Sequence, residues 1–164
     1  MASEGGAKVT AGEVIVSGPD REIRLLVGRD DLTVTRARYE AHKQVAGRHV
    51  HNEHTDAFYV LEGTLTFELG PDAAQFDVAA GGFVAVPPGV AHALRTGDRP
   101  ARWLTIHAPD GGFAAFMRGI RDAVEFDWDY WPVPPDGGLP ADRAIVSGVV
   151  SELPDAVDRR RADH

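Results

Sequence analysis

Gly47-Arg-His-Val-His-Asn-Glu-His-Thr-Asp-Ala-Phe-Tyr-Val-Leu-Glu-Gly63 is the stretch whose reading decides the fold. Side chains alternate across a strand, so His49 and His51 share one face and Val50 takes the other. Asp56 lies an odd number of residues beyond His51, which in an unbroken strand would put it on the opposite face. Asn52-Glu53-His54-Thr55 reads as a turn that resets the parity. Asp56 then opens the next strand and faces back toward the histidines, with Phe58 and Val60 following it inward.

A second stretch, Gly81-Gly-Phe-Val-Ala-Val-Pro-Pro-Gly-Val-Ala-His92, completes the pattern. Pro87-Pro88-Gly89 forces a tight turn, because proline fixes φ and glycine tolerates positive φ. The following strand starts near His92 and aims it at the same interior, with Leu94 and Thr96 beneath it. Three imidazoles and one carboxylate can hold a divalent first-row metal and leave positions open for a substrate. The candidate metal ligands are therefore His49, His51, Asp56 and His92. Phe58, Val60, Phe67 and Leu94 are candidate apolar walls of a substrate pocket. His54 sits in the turn and ranks below Asp56 as a ligand, since a turn histidine is usually solvated. His42, His107 and His164 read as ordinary residues.

Outward from these stretches, short apolar runs alternate with turn signals from Glu13 to Ala108. Strands are expected at 13–17, 22–27, 32–39, 57–61, 64–69, 75–78, 83–86, 92–96 and 102–107, with Arg48–His51 short and extended and 40–47 a loop. In Thr64–Leu69 the apolar Leu65, Phe67 and Leu69 alternate with Thr64, Thr66 and Glu68, the period of a half-buried strand. Closely spaced strands punctuated by Gly, Pro and Asp indicate an all-β sandwich or barrel. Residues 1–12 read as a loose arm, and 109–164 as a helical extension. Phe113, Phe116, Met117, Ile120 and Val124 form one apolar helical stripe, expected to pack on the outer face of a sheet. A second short helix is expected over 141–153, where Ile145, Val149 and Leu153 share a face, and 159–164 is expected to fray. Trp128, Tyr130 and Trp131, in the loop between, read as a packed cover or dimer contact rather than a substrate clamp. Arg36 and Arg38 alternate on a strand and read as a solvated face. Gly111-Gly112 and Gly137-Gly138 lack a phosphate-loop pattern and read as turns.

A chain of 164 residues fits one domain with a core of its own. It has no cysteine, which excludes disulfides, thiolate metal sites and cysteine nucleophiles and suits a cytoplasmic location. The net charge of −8 argues against a nucleic-acid partner. The N-terminus shows no basic-then-apolar leader, and no apolar run approaches the roughly 18 residues of a membrane span. Only Lys8 and Lys43 are lysines, so no lysine cluster is present to bind a sugar phosphate.

The two stretches resemble the paired motifs of the cupin superfamily. The first motif of that family runs His-x-His, three or four residues, Glu, six residues, Gly; here His49-Val-His51 is followed by four residues, Asp56, six residues and Gly63. The second runs Gly, five residues, Pro-x-Gly, two residues, His, three residues, Asn; here Gly81 is followed by five residues, Pro87-Pro88-Gly89, two residues, His92, three residues and Thr96. Asp56 thus replaces Glu and reaches about 1.5 Å less, Thr96 replaces Asn, and the leading Gly of the first motif is missing from its place. The shorter carboxylate leaves two states open. Either the backbone moves in and Asp56 ligates, or three histidines hold the metal and a water bridges to Asp56.

The resemblance covers roughly Glu13–Ala108 and implies a double-stranded β-helix (jelly-roll) barrel, with one or two C-terminal helices packed outside and a metal inside. The metal would be Fe, Mn, Ni, Co, Cu or Zn. Within the family the chain is similar to small, single-domain bacterial quercetinase-like proteins, in Ala57-Phe-Tyr-Val-Leu-Glu-Gly63 and in the Pro109–Phe113 segment. That likeness implies a metal-dependent dioxygenase acting on a small aromatic or enolisable substrate, with Asp56 as the catalytic base, and a homodimer. The alternatives are a non-redox isomerase, epimerase or cyclase, and a non-catalytic small-molecule-binding module.

Overall fold

A computed structural model describes residues 6–7 and 10–152. The chain runs β1 (Glu13–Ser17), β2 (Arg21–Gly28), β3 (Thr33–Tyr39), β4 (Gln44–His49), β5 (Thr55–Glu62), β6 (Thr64–Leu69), β7 (Ala74–Ala79), β8 (Phe83–Val86), β9 (His92–Thr96), β10 (Ala101–Ala108), α1 (Phe113–Asp122), β11 (Ile145–Ser147) and β12 (Val150–Glu152). The strands form two antiparallel sheets, in the orders β1-β2-β3-β10-β5-β8-β11 and β12-β7-β6-β9-β4. This is the all-β, double-stranded architecture the sequence implied.

Alternation decides which face of each strand is buried. Leu65, Phe67 and Leu69 of β6 are 0–1% exposed, and Val60, Val78 and Val84 meet them between the sheets. On β10 the inward set is Ala101, Trp103, Thr105 and His107. Burying such side chains contributes about 1.5–3 kcal/mol each for the larger apolar ones. The chain crosses from one sheet to the other at Gly63, between β5 and β6. Its φ is +75°, and a Cβ there would stand 2.4 Å from the Pro100 carbonyl oxygen, so only glycine fits.

The expected loop at 40–47 is a correction: β4 already begins at Gln44 and pairs with β9, in a register interrupted by bulges that ends at His49 opposite His92. Lack of clean alternation in Gln44-Val-Ala-Gly-Arg-His hid this strand.

After β10, the Asp110 carboxylate accepts the backbone N–H groups of Gly112 at 3.0 Å and Ala114 at 2.8 Å, and it also bonds the Thr33 hydroxyl. It thereby caps the first turn of α1. Glu13 on β1 receives Arg118 at 2.7 Å and Arg121 at 3.1 Å, which ties the helix to the first strand. Among the described residues the expected second helix is absent. A single 3-10 turn at Ala141–Arg143 precedes β11 and β12, which add to β8 and β7 respectively. Ile145, Val146, Val149 and Val150 are β-branched and favour strands, and Gly148 with φ +89° breaks the run. Leu153, His164, the 159–164 segment expected to fray and most of the N-terminal arm lie outside the described residues. No helix among the described residues is long and apolar enough to cross a membrane.

Candidate metal centre

His49 closes β4, His92 opens β9 opposite it, and Asp56 stands second in β5, paired with Val86 on one side and His107 on the other. His51 follows Val50, whose backbone exchanges two 3.0 Å hydrogen bonds with Trp131. The structure brings all four predicted ligands together, with their donor atoms within 4.8 Å of one another. His49 Nε2 lies 3.2 Å from His51 Nε2, and Asp56 Oδ2 lies 3.2 Å from both His51 Nε2 and His92 Nε2. The aspartate therefore reaches the cluster despite its shorter side chain. All four residues are at most 4% exposed.

The outward nitrogens explain why these rings converge. His49 Nδ1 faces the Gly47 carbonyl oxygen at 2.6 Å, His51 Nδ1 that of Asp129 at 2.6 Å, and His92 Nδ1 that of Val90 at 3.1 Å. A carbonyl oxygen only accepts, so each Nδ1 carries the proton, and in the neutral ring each Nε2 presents a bare lone pair. Three lone pairs and a carboxylate oxygen then point at one centre, an arrangement that repels itself until a cation is shared among them. A spacing of 3.2 Å is one that neighbouring ligands of a single ion adopt when each bond is about 2.1 Å. The residues present fit a divalent transition metal. Burial, helped by His92, pushes His49 down to about 3, so its ring is neutral and available as a ligand.

The centre opens on a cavity of about 490 Å³. His49, Asp56, Thr105 and His107 form its polar end, and Phe58, Leu94, Met117 and Trp128 are among its apolar walls. Two of the predicted walls are corrected. Val60 and Phe67 are 0% exposed and sit in the core beneath the cavity, where Phe67 packs against Phe58 at 5.1 Å between ring centroids. The α1 stripe is corrected too. Phe113, Phe116, Met117 and Ile120 line this interior cavity instead of an outer sheet face. Tyr130 stacks on His49 at 4.4 Å and Trp128 on Phe116 at 4.9 Å, so the loop after α1 roofs the centre, while Trp131 is half exposed. Arg36 is exposed and Arg38 pairs with Glu40 at 2.7 Å, away from the centre.

Two more histidines belong to the site: His54, ranked below Asp56 as a turn histidine, and His107, read as ordinary. His54 and His107 are each 1% exposed, and His107 Nδ1 lies 2.8 Å from His54 Nε2. Asp129, which the sequence did not single out, binds His54 Nδ1 at 2.7 Å. The inward alternation of Ala101, Trp103, Thr105 and His107 was the signal for His107. Asp129 lies in a segment with no periodicity and gave none.

Residues 35–107 match the family model described as the cupin domain. That match covers a little under half of the chain. A quercetin 2,3-dioxygenase of Bacillus subtilis (strain 168) is 31% identical over 77 residues, which are 47% of this chain and 22% of that protein. The chain thus spans about a fifth of that curated relative. Among solved structures, KdgF from Halomonas sp. superposes with a TM-score of 0.52 at 15% identity, over 59% of this chain and 86% of that one. A protein from Klebsiella pneumoniae subsp. pneumoniae MGH 78578 with a double-stranded β-helix domain gives 0.50 at 21% identity, over 57% and 81%. These likenesses show a double-stranded β-helix fold, and within it His49, His51, Asp56 and His92 form a buried group that could hold a metal.

Proposed function

We propose that this protein is a metal-dependent dioxygenase acting on a small aromatic or enolisable molecule. The observation that carries the reading is the buried three-imidazole, one-carboxylate cluster opening on a cavity of about 490 Å³ with aromatic walls. The 31% identity to a quercetin 2,3-dioxygenase supports the same class. His49, His51, His92 and Asp56 would hold the metal, and Fe, Mn, Ni, Co, Cu and Zn all suit that donor set. When bound, the metal supplies a Lewis acid for an enolate-like oxygen and a partner for O2.

The chain's own residues do the rest. Phe58, Leu94 and Trp128 provide flat apolar surfaces for a ring, and the roof of Trp128 and Tyr130 limits access of water to the centre. Asp56 Oδ1 has no hydrogen-bond partner and lies at the polar end of the cavity. It is the atom placed to take the substrate's hydroxyl proton.

The test is metal analysis followed by oxygen uptake with 3-hydroxyflavone and catechol-type compounds. O2 consumption matching substrate loss is expected, abolished in His92→Ala together with metal content. Absence of metal, or no turnover with any metal restored, overturns the proposal. Turnover without O2 consumption would identify an isomerase or cyclase. Ligand binding without turnover in both the wild type and Asp56→Glu would identify a binding module.

A further inference from the structure

Behind the metal centre runs a chain of three buried side chains whose proton positions follow from one end. Asp129 accepts the backbone N–H groups of Asn52 at 2.8 Å, Glu53 at 2.7 Å and His54 at 3.2 Å, and the Trp131 indole N–H at 2.9 Å. Burial acts against its charge, but these donors prevail and hold its carboxyl down to about 2. A carboxylate so placed can only accept, so His54 Nδ1, 2.7 Å away, carries a proton. A buried neutral ring with its proton on Nδ1 has a bare Nε2. The atom 2.8 Å from that nitrogen, His107 Nδ1, must then be the donor. A neutral His107 with its proton on Nδ1 likewise has a bare Nε2, and the 3.6 Å gap to Asp56 Oδ1 fits a nitrogen with no proton to give.

That last nitrogen is the anomaly. It is buried, it has no hydrogen-bond partner among the described residues, and it stands 3.6 Å from Asp56 Oδ1, another buried atom without one among them. Two acceptors face each other across a gap too long for a hydrogen bond. Phe113 stacks on the His107 ring at 3.8 Å and fixes its plane, and both His107 and Asp56 border the cavity.

We propose that His107 Nε2 is a substrate-recognition acceptor, and that the cavity selects molecules with two neighbouring oxygens, one for the metal centre and the other a hydroxyl that donates to His107. This rests on reading the cluster as a metal centre. Ortho-dihydroxy aromatics and α-hydroxyketones meet the requirement. An ether oxygen at the second position does not, because it leaves the lone pairs opposed. His54 and Asp129 are positioning residues: they fix which nitrogen of His107 is bare.

Two measurements on the zinc-loaded full-length protein test the proposal. In the first, ¹⁵N imidazole shifts should show His54 and His107 both protonated on Nδ1; a His107 protonated on Nε2 overturns it. In the second, calorimetry compares catechol with 2-methoxyphenol, which keeps one phenolic oxygen for the metal and loses the second donor. The wild type should prefer catechol about tenfold, the value of one buried hydrogen bond. His107→Asn keeps a donor for His54 and removes the acceptor, and His107→Phe keeps the stack on Phe113. In both, zinc content should be unchanged and the preference should fall to within about twofold. An undiminished preference in both variants overturns the proposal. Zinc is redox-inert, so the result is independent of whether the protein consumes O2. Failure to load zinc would count against the metal reading, while the tautomers in the same sample still decide the role of His107.

Discussion

Replacing Asp129 by Asn removes a charge while barely changing size, and its cost follows from the geometry. Oδ1 accepts from Asn52 N and Trp131 Nε1; Oδ2 accepts from Glu53 N, His54 N and His54 Nδ1. An amide nitrogen cannot accept. Its cheapest placement is on the Oδ1 side, where it strands two donors. A buried donor without a partner costs about 1–3 kcal/mol, and both donors belong to exposed residues, so the low end applies and the sum is about 2 kcal/mol. For a chain of this length that is a drop of about 4–8 °C in Tm.

The damage should also reach the metal. His51 Nδ1 is held by the backbone carbonyl of this same residue at 2.6 Å. Disturbing such a supporting partner typically weakens metal affinity about 10–100-fold. Thermal melts of the metal-free Asp129→Asn protein, paired with zinc titration against a chelating dye, measure both effects. A Tm within about 1 °C of wild type with unaltered zinc affinity would refute the idea that this carboxylate organises the 52–54 turn.

Two further predictions concern the same interior. His49 and His107 are pushed by burial to about 3 and about 4, whereas in the unfolded chain each titrates near 6.5. The unfolded state therefore takes up protons first, so stability of the metal-free protein is fully present above about pH 6.5 and declines as pH falls toward about 4, by up to about 1.4 kcal/mol per pH unit for each histidine. Urea midpoints across that range check it, and a flat profile would contradict the buried neutral rings. Gly111→Ala places a Cβ 2.5 Å from His54 Nδ1 at a φ of +63°, and should cost about 1–3 kcal/mol while pushing His54 off Asp129. An unchanged melting curve for that variant would mean that the His54 ring is not held where it stands.

Strand parity was enough to read much of the centre. His49 and His51 flank Val50 on one face, the 52–55 turn restores Asp56 to that face, and Pro87-Pro88-Gly89 aims His92 at them. β6, β8 and β9 have the expected limits, β6 because its apolar alternation is unbroken and β8 and β9 because Gly81-Gly82, Pro87-Pro88-Gly89 and Gly97 bracket them. What parity could not reveal was anything fixed by contact between distant segments. Whether His54 is solvated or enclosed depends on Asp129, 75 residues away. The α1 stripe is visible as a stripe, but its burial against the cavity instead of an outer face depends on where the chain turns at Asp110. The β-branched residues after 144 carried a strand preference that the shared helical face of Ile145 and Val149 concealed, and the open flanks of β7 and β8 settled the competition.

Those two short terminal strands have a consequence for how the molecule meets others of its kind. An uncovered sheet margin is a row of free N–H and C=O groups that recruits foreign strands. By laying Ile145–Ser147 along β8 and Val150–Glu152 along β7, the chain ends one margin of each sheet in a strand of only three residues, which blunts it as a template. Among the described residues the longer margins are β1 and β4, so strand addition between copies is favoured on that side of the molecule. Cutting the chain before Ile145 would spare the metal-binding interior and bare two margins at once, so self-association, more than loss of the site, would be its first symptom.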